Sequence, residues 1–263
     1  MMKIHVVKIG GHLINDENLL NFCLESFCKL KGYKILIHGG GKKVNDLSDK
    51  MGIEKKIVRG RRITNKETLD IVVMTYAGII NKNIVAKLQS YQCNALGLSG
   101  ADGNCIKSFI RKDDHIDYGY VGDIIADKSI NTDIIKFLLE IDIIPVFCSV
   151  THNGKGILLN TNADTIASCI AISLSKYYKV ELHFCFEKKG VLRNIKDSES
   201  FYKKINFSLF QKIKKDHTII NHGMIPKLEN AFFALKNGVT KVSIGLPSHI
   251  LKSHDLNKTV LCL

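Results

Sequence analysis

Ile4-His5-Val6-Val7-Lys8-Ile9-Gly10-Gly11 and Lys34-Ile35-Leu36-Ile37-His38-Gly39-Gly40-Gly41 decide how this chain folds. Each is a short apolar run rich in β-branched residues that stops in consecutive glycines and gives way to a helical pattern, at residues 17–30 and 42–51. The same alternation continues outward. Strands are predicted at 95–98, 143–148, 180–186 and 241–244, and helices at 66–77, 77–91, 131–139, 163–174, 207–214 and 226–237, with a turn-rich stretch over 113–127. Strands alternating with helices imply an α/β chain whose mostly parallel sheet is covered by helices on both faces. No Pro/Gly/Ser linker breaks the pattern, so two lobes sharing one open sheet are expected, residues 1–176 and 177–263.

Composition narrows the function. The 263 residues are 45% hydrophobic and 24% charged, which excludes disordered, collagenous and low-complexity architectures. The best apolar candidate, 143–148, falls far short of the roughly 18 residues a membrane span needs, and residues 1–8 read as a strand rather than a signal peptide. The expectation is a cytoplasmic protein without a membrane partner. Eight cysteines include no Cys-x-x-Cys pair, so buried free thiols are expected rather than a zinc site. The net charge of +13 raises the question of a nucleic-acid partner. Its distribution argues against one: arginine occurs only at positions 59, 61, 62, 111 and 193, and the lysines are scattered.

In a parallel α/β sheet, ligands bind beyond the carboxyl ends of the strands, where the glycines of this chain lie. Turns at Gly10-Gly11, Gly39-Gly40-Gly41 and Gly100 to Gly103 expose backbone N–H groups that can cradle phosphates. Tight strand-to-helix turns alone would also account for any one of them. Neither a P-loop nor a dinucleotide fingerprint is present, because Gly39 to Lys43 lacks the upstream glycine and following Ser/Thr of the first and the third glycine of the second. Pro226 is expected as the first residue of helix 226–237, which puts Lys227 in the first turn, where a cation opposes the helix dipole unless an anion binds both. Asn162 reads as an N-cap and Asp164 as a first-turn carboxylate, with Asn160 on the same face as Asn162 if that segment is extended.

Together these elements resemble the amino-acid kinase family, nearly end to end. The carriers are Lys8 to Gly11, His38 to Gly41, Gly60-Arg61-Arg62-Ile63-Thr64, Asn81-Lys82-Asn83, Gly97 to Gly103, Gly119 to Gly122, Asn160 to Asp164 and Gly223 to Lys227. Gly60-x-Arg62-x-Thr64 with Asn160-x-Asn162-Ala163-Asp164 points to the branch that phosphorylates acylglutamates.

The resemblance implies a three-layer αβα sandwich of the amino-acid kinase and carbamate kinase type. It further implies transfer of the ATP γ-phosphoryl group to the side-chain carboxylate of N-acetyl-L-glutamate, with N-succinyl-L-glutamate as the alternative acceptor and a non-catalytic sensor as the alternative role. Lys8 and Lys227 would stabilise the phosphoryl group and Asp164 would hold both ammonium groups. Gly10, Gly11, Gly40 and Gly41 would supply N–H donors, while Arg62 and Asn160 would grip the substrate. Nucleotide contacts are expected from Glu187, Lys188, Gly190, Leu192, Ile219 and Asn221, although Phe186-Glu187 stands where family members carry Ser/Thr-Asp. Residues 118–121 are expected to wall the acyl group. With no carboxylate cage in the sequence, Mg²⁺ should arrive on ATP. Because strand one starts near residue 3, without the N-terminal helix of arginine-inhibited hexamers, a homodimer without arginine feedback is expected.

Overall fold

The computed structural model describes residues 1–194, 196–215, 224–249 and 257–263. In chain order the first half comprises β1 (Lys3–Ile9), α1 (Gly11–Asn15), α2 (Glu17–Cys28), β2 (Tyr33–His38), α3 (Gly41–Lys50), β3 (Ile57–Val58), β4 (Arg61–Arg62) and α4 (Lys66–Val73). A π-helical turn (Met74–Ile80) leads into α5 (Asn81–Ser90), β5 (Ala95–Leu98), β6 (Phe109–Ile110) and β7 (Val121–Asp123). Then come α6 (Ala126–Ser129), α7 (Thr132–Glu140), β8 (Ile144–Phe147), β9 (Val150–His152), β10 (Leu158–Thr161), α8 (Ala163–Leu174) and β11 (Lys179–Cys185). The chain closes with β12 (Lys204–Asn206), α9 (Phe207–Lys215), α10 (Met224–Lys236), β13 (Lys241–Gly245) and β14 (Thr259–Cys262).

Eight strands form the central sheet in the order β12-β14-β13-β11-β1-β2-β8-β5, parallel except at β13–β14. Period-two alternation sends the side chains of β1 to opposite faces, so both become core. Ile4 and Val6 join Ile35, Ile37, Ile166 and Ile170 with Leu228 and Phe232 on one side. Val7 and Ile9 join Leu36, Leu24, Phe27, Ile80, Ile84 and Leu88 on the other. The result is the expected three-layer αβα sandwich.

Several elements differ from expectation. The two helices read as 66–77 and 77–91 are one continuous helical stretch, Lys66–Ser90. Among the described residues it is the one helix long and apolar enough to cross a membrane by length and composition, yet Ile71, Val72, Tyr76, Ile80, Ile84 and Leu88 are buried against the sheet. Gly78 does not break it, because a π-helical turn absorbs the irregularity. The turn-rich region contributes to a second sheet, β6-β7-β10-β9, and residues 57–62 form a hairpin whose turn residues Arg59 and Gly60 have φ of 49° and 74°, as a two-residue type I′ connection requires.

Candidate active site

Lys8 reaches the carboxyl end of β1 on the face covered by α8, where the first turn of that helix presents Asp164. Asn162 caps the helix by accepting from the Asp164 and Thr165 N–H groups, and this fixes the direction in which the carboxylate leaves. Lys8 Nζ lies 2.7 Å from Asp164 Oδ1, and Lys227 Nζ donates to Oδ2 at 2.9 Å. The three side chains come from β1, α8 and α10, and each is no more than 16% exposed.

Burial by itself would raise the Asp164 pKa, but the ammonium groups of Lys227 and Lys8 outweigh it and hold the carboxyl well below the usual range. Burial pushes Lys227 down, with Asp164 opposing and Lys8 adding to the fall; its ammonium also sits 5.0 Å from the Phe184 ring centroid. Lys227 is the fourth residue of α10 rather than the second, since the helix begins at Met224. Pro226 therefore lies inside the first turn, where its missing N–H still costs no intrahelical bond.

A cavity of about 330 Å³ opens beside this cluster, lined among others by Lys8, Gly11, Gly40, Gly41, Arg62, Asn160 and Asp164. Gly40, with φ of +148°, takes a backbone conformation that L side chains avoid, and a Cβ there would collide with Ile80 Cδ1. The turn frees the first N–H groups of α3 toward the cavity, as Gly11 does at the start of α1. Gly10 corrects the expectation: its N–H already donates to Cys185 O at 2.9 Å, so it ties β1 to β11 and offers no phosphate donor.

Arg62, at the end of the hairpin, donates through Nη2 to Gly41 O and Asn45 Oδ1, while its buried Nη1 has no partner. A buried guanidinium N–H facing a polar cavity is suited to a carboxylate. Asn160 lines the cavity from β10 and donates to Thr64 Oγ1 at 3.1 Å, which in turn donates to Arg62 O at 3.0 Å. Of residues 118–121 only Val121 lines the cavity; Tyr118 is turned inward, 1% exposed, beneath the Arg111 guanidinium.

Glu187 and Lys188 are exposed on the loop after β11, away from this cavity. Gly190 is buried, and a Cβ there would strike Thr259 Oγ1 and crowd Phe201, so packing explains it; Leu192 pairs with Phe201. Ile219 and Asn221 lie outside the described residues.

Sequence reasoning missed Tyr76, Asn45 and Ser149, which also line the cavity. Asn81 Nδ2 is 3.0 Å from His38 Nε2 and donates to Val146 O at 2.9 Å, bracing the glycine turn from the long helix.

The chain is 46% identical over 261 residues to an acetylglutamate kinase of Cytophaga hutchinsonii, covering 99% of this chain and 97% of that protein. It is 47% identical over 250 residues to an acetylglutamate kinase of Parabacteroides distasonis, covering 95% and 96%. The crystal structure of smu.665 from Streptococcus mutans UA159 superposes with a TM-score of 0.78 at 28% identity, over 98% of each chain. The sequence profile of the amino acid kinase family matches residues 3–245, and with the fold and the lysine–aspartate–lysine cluster described above, this chain belongs to the amino acid kinase family.

Proposed function

We propose that the chain transfers the γ-phosphoryl group of ATP to the side-chain carboxylate of N-acetyl-L-glutamate, giving N-acetylglutamyl 5-phosphate and ADP, as a step of arginine biosynthesis. The observation that carries this reading is the pair of buried ammonium groups held on one carboxylate at the rim of a glycine-lined cavity. An acceptor carboxylate, with a reference pKa of about 4.3, is ionised at neutral pH and needs no general base. The obstacle is the approach of two anions, which calls for alignment and positive charge. Lys8 and Lys227 supply the charge, Asp164 positions them, and the open N–H groups at Gly11 and Gly41 orient the phosphoryl oxygens. Arg62 Nη1 takes the substrate α-carboxylate, and Asn160 its acyl-amide.

Among the described residues lining the cavity Asp164 is the sole carboxylate, and each of its oxygens faces a lysine ammonium, so Mg²⁺ enters bound to ATP and neutralises the phosphates there. Residues 1–176 bind acylglutamate and form the dimer contact, and residues 177–263 bind the nucleotide, through the loop at Glu187, Lys188 and Leu192 and through Ile219 and Asn221. The enzyme works in the cytoplasm as a homodimer.

The test is hydroxamate formation from ATP, Mg²⁺ and hydroxylamine with N-acetyl- or N-succinylglutamate offered side by side. Turnover with a higher kcat/KM for the acetyl compound is expected. Preference for the succinyl compound would reassign the acceptor, and absence of turnover with both would leave a nucleotide or amino-acid sensor.

A further inference from the structure

On the face of the sheet opposite Lys8, the parallel register of β1 and β11 sets His5 beside Glu181, with His183 two residues further along the same face. His5 Nδ1 and His183 Nε2 are 3.1 Å apart. Glu181 Oε2 stands 3.6 Å from the first and 3.7 Å from the second, too far to hydrogen bond with either. Its other oxygen, Oε1, is held by Lys3 at 2.8 Å, which fixes the carboxylate with Oε2 toward the imidazoles. Both imidazoles are buried, at 5% and 1% exposure, and Glu181 forms the rim.

Three donors separated by 3.1, 3.6 and 3.7 Å have the spacing of one triangular face of a tetrahedron. For bonds of about 2.0–2.1 Å the edge of such a tetrahedron is about 3.4 Å. We propose that His5, Glu181 and His183 form a three-ligand site for a borderline divalent metal of the zinc class, with a fourth position open to water. Two nitrogens and one carboxylate oxygen match zinc, cobalt or nickel rather than the all-oxygen shell of Mg²⁺.

The surroundings prepare one ligand and constrain the other. His183 Nδ1 lies 2.7 Å from Ser243 Oγ, and with its proton donated to the serine, His183 Nε2 accepts from the Nδ1–H of His5 at 3.1 Å, so a metal must displace that proton and shift His5 to its other tautomer. Burial holds both rings unprotonated at neutral pH, against Glu181 at His5 and with the help of Lys3 and Lys34; at His183, His5, Lys258, Lys241 and Lys3 act in the same direction. Such lysines also repel a dication, which the Glu181 carboxylate offsets. The site joins two central strands about 10 Å along β1 from Lys8, which separates it from the Mg²⁺ of ATP.

The experiment uses chelator-stripped, untagged full-length protein, titrated with Co²⁺ in the absence of nucleotide. One Co²⁺ per chain is expected, with the intense visible absorption of a four-coordinate ion. His5→Gln and His183→Gln should each weaken binding by about tenfold or more. Glu181→Gln, on the rim, tests the same claim should a buried histidine variant fail to fold; it should bind about tenfold more weakly, and Zn²⁺ should raise the melting temperature of the wild type more than that of this variant. No uptake, a six-coordinate spectrum, or unchanged uptake in Glu181→Gln and His5→Gln would each overturn the site.

Discussion

A carboxylate clamped between two ammonium groups is a poor base and a good spacer. Asp164 holds Lys8 and Lys227 on one side of the cavity, where their mutual repulsion would otherwise drive them apart. If both lysines act as proposed, replacing either by alanine should lower kcat at least about a hundredfold, roughly 3 kcal/mol, on the scale of one lost transition-state donor; steady-state kinetics with an unchanged kcat would remove that lysine from the mechanism. Arg62→Ala, by contrast, removes binding shared by ground and transition states, so KM for acylglutamate should rise while kcat changes little. Lys8, Asp164 and Lys227 were legible because strand ends and first helical turns are where backbone geometry concentrates charge, whereas the role of Arg62 came only with the family resemblance. Tyr76 and Asn45 were not legible, since in a helical pattern they read as ordinary core and surface residues. His5, Glu181 and His183 were also hidden, because only the register of β1 against β11 brings them together.

Local periodicity finds long helices and buried strands, and α8 falls at residues 163–174 in both sequence and structure. It found the four-residue strands β5 and β8 of the buried central sheet but missed the short strands outside it, so the β6-β7-β10-β9 sheet and the hairpin that carries Arg62 could not be read. The π-helical turn was equally invisible, since its extra residue per turn leaves composition unchanged. That turn packs Tyr76 and Ile80 against Gly40, and here element and site depend on each other. Gly40→Ala would force both a positive φ on a residue with a Cβ and a clash with Ile80. A loss of about 1–3 kcal/mol is expected, together with impaired phosphoryl transfer because the N–H groups at the start of α3 shift. Urea denaturation showing wild-type stability would mean that the turn can relax.

At the scale of the whole molecule, β5 is an edge of the central sheet among the described residues; Leu96 on it is 41% exposed, and Met74 and Ile79 on the long helix, whose Lys82 donates to Gly97 O of β5, are 45% and 49% exposed. A second copy is the occupant expected for this apolar stripe. Ile79→Glu should shift the mass in light scattering from twice the chain to once, and an unchanged mass would move the contact elsewhere. The interior makes a different demand. His38 is fully buried and neutral, with Nδ1 bonded to Gly39 O and Nε2 near Asn81, and burial lowers its pKa to about 4; His5 falls to about 4 as well, and His183 falls in the same direction. In the unfolded chain each would take a proton near pH 6.5, so between about pH 6.5 and 4 the unfolded state binds more protons than the native one and stability falls as pH falls. His38 alone accounts for about 3 kcal/mol across that window, at 1.36 kcal/mol per pKa unit. Asp164 extends the decline below the window, since its depressed pKa makes the unfolded carboxylate protonate first. The urea midpoint of metal-free protein should therefore be flat above about pH 7.5 and drop steeply toward pH 4. A midpoint that holds constant between pH 7 and 5 would show that the buried histidines already carry protons in the native state.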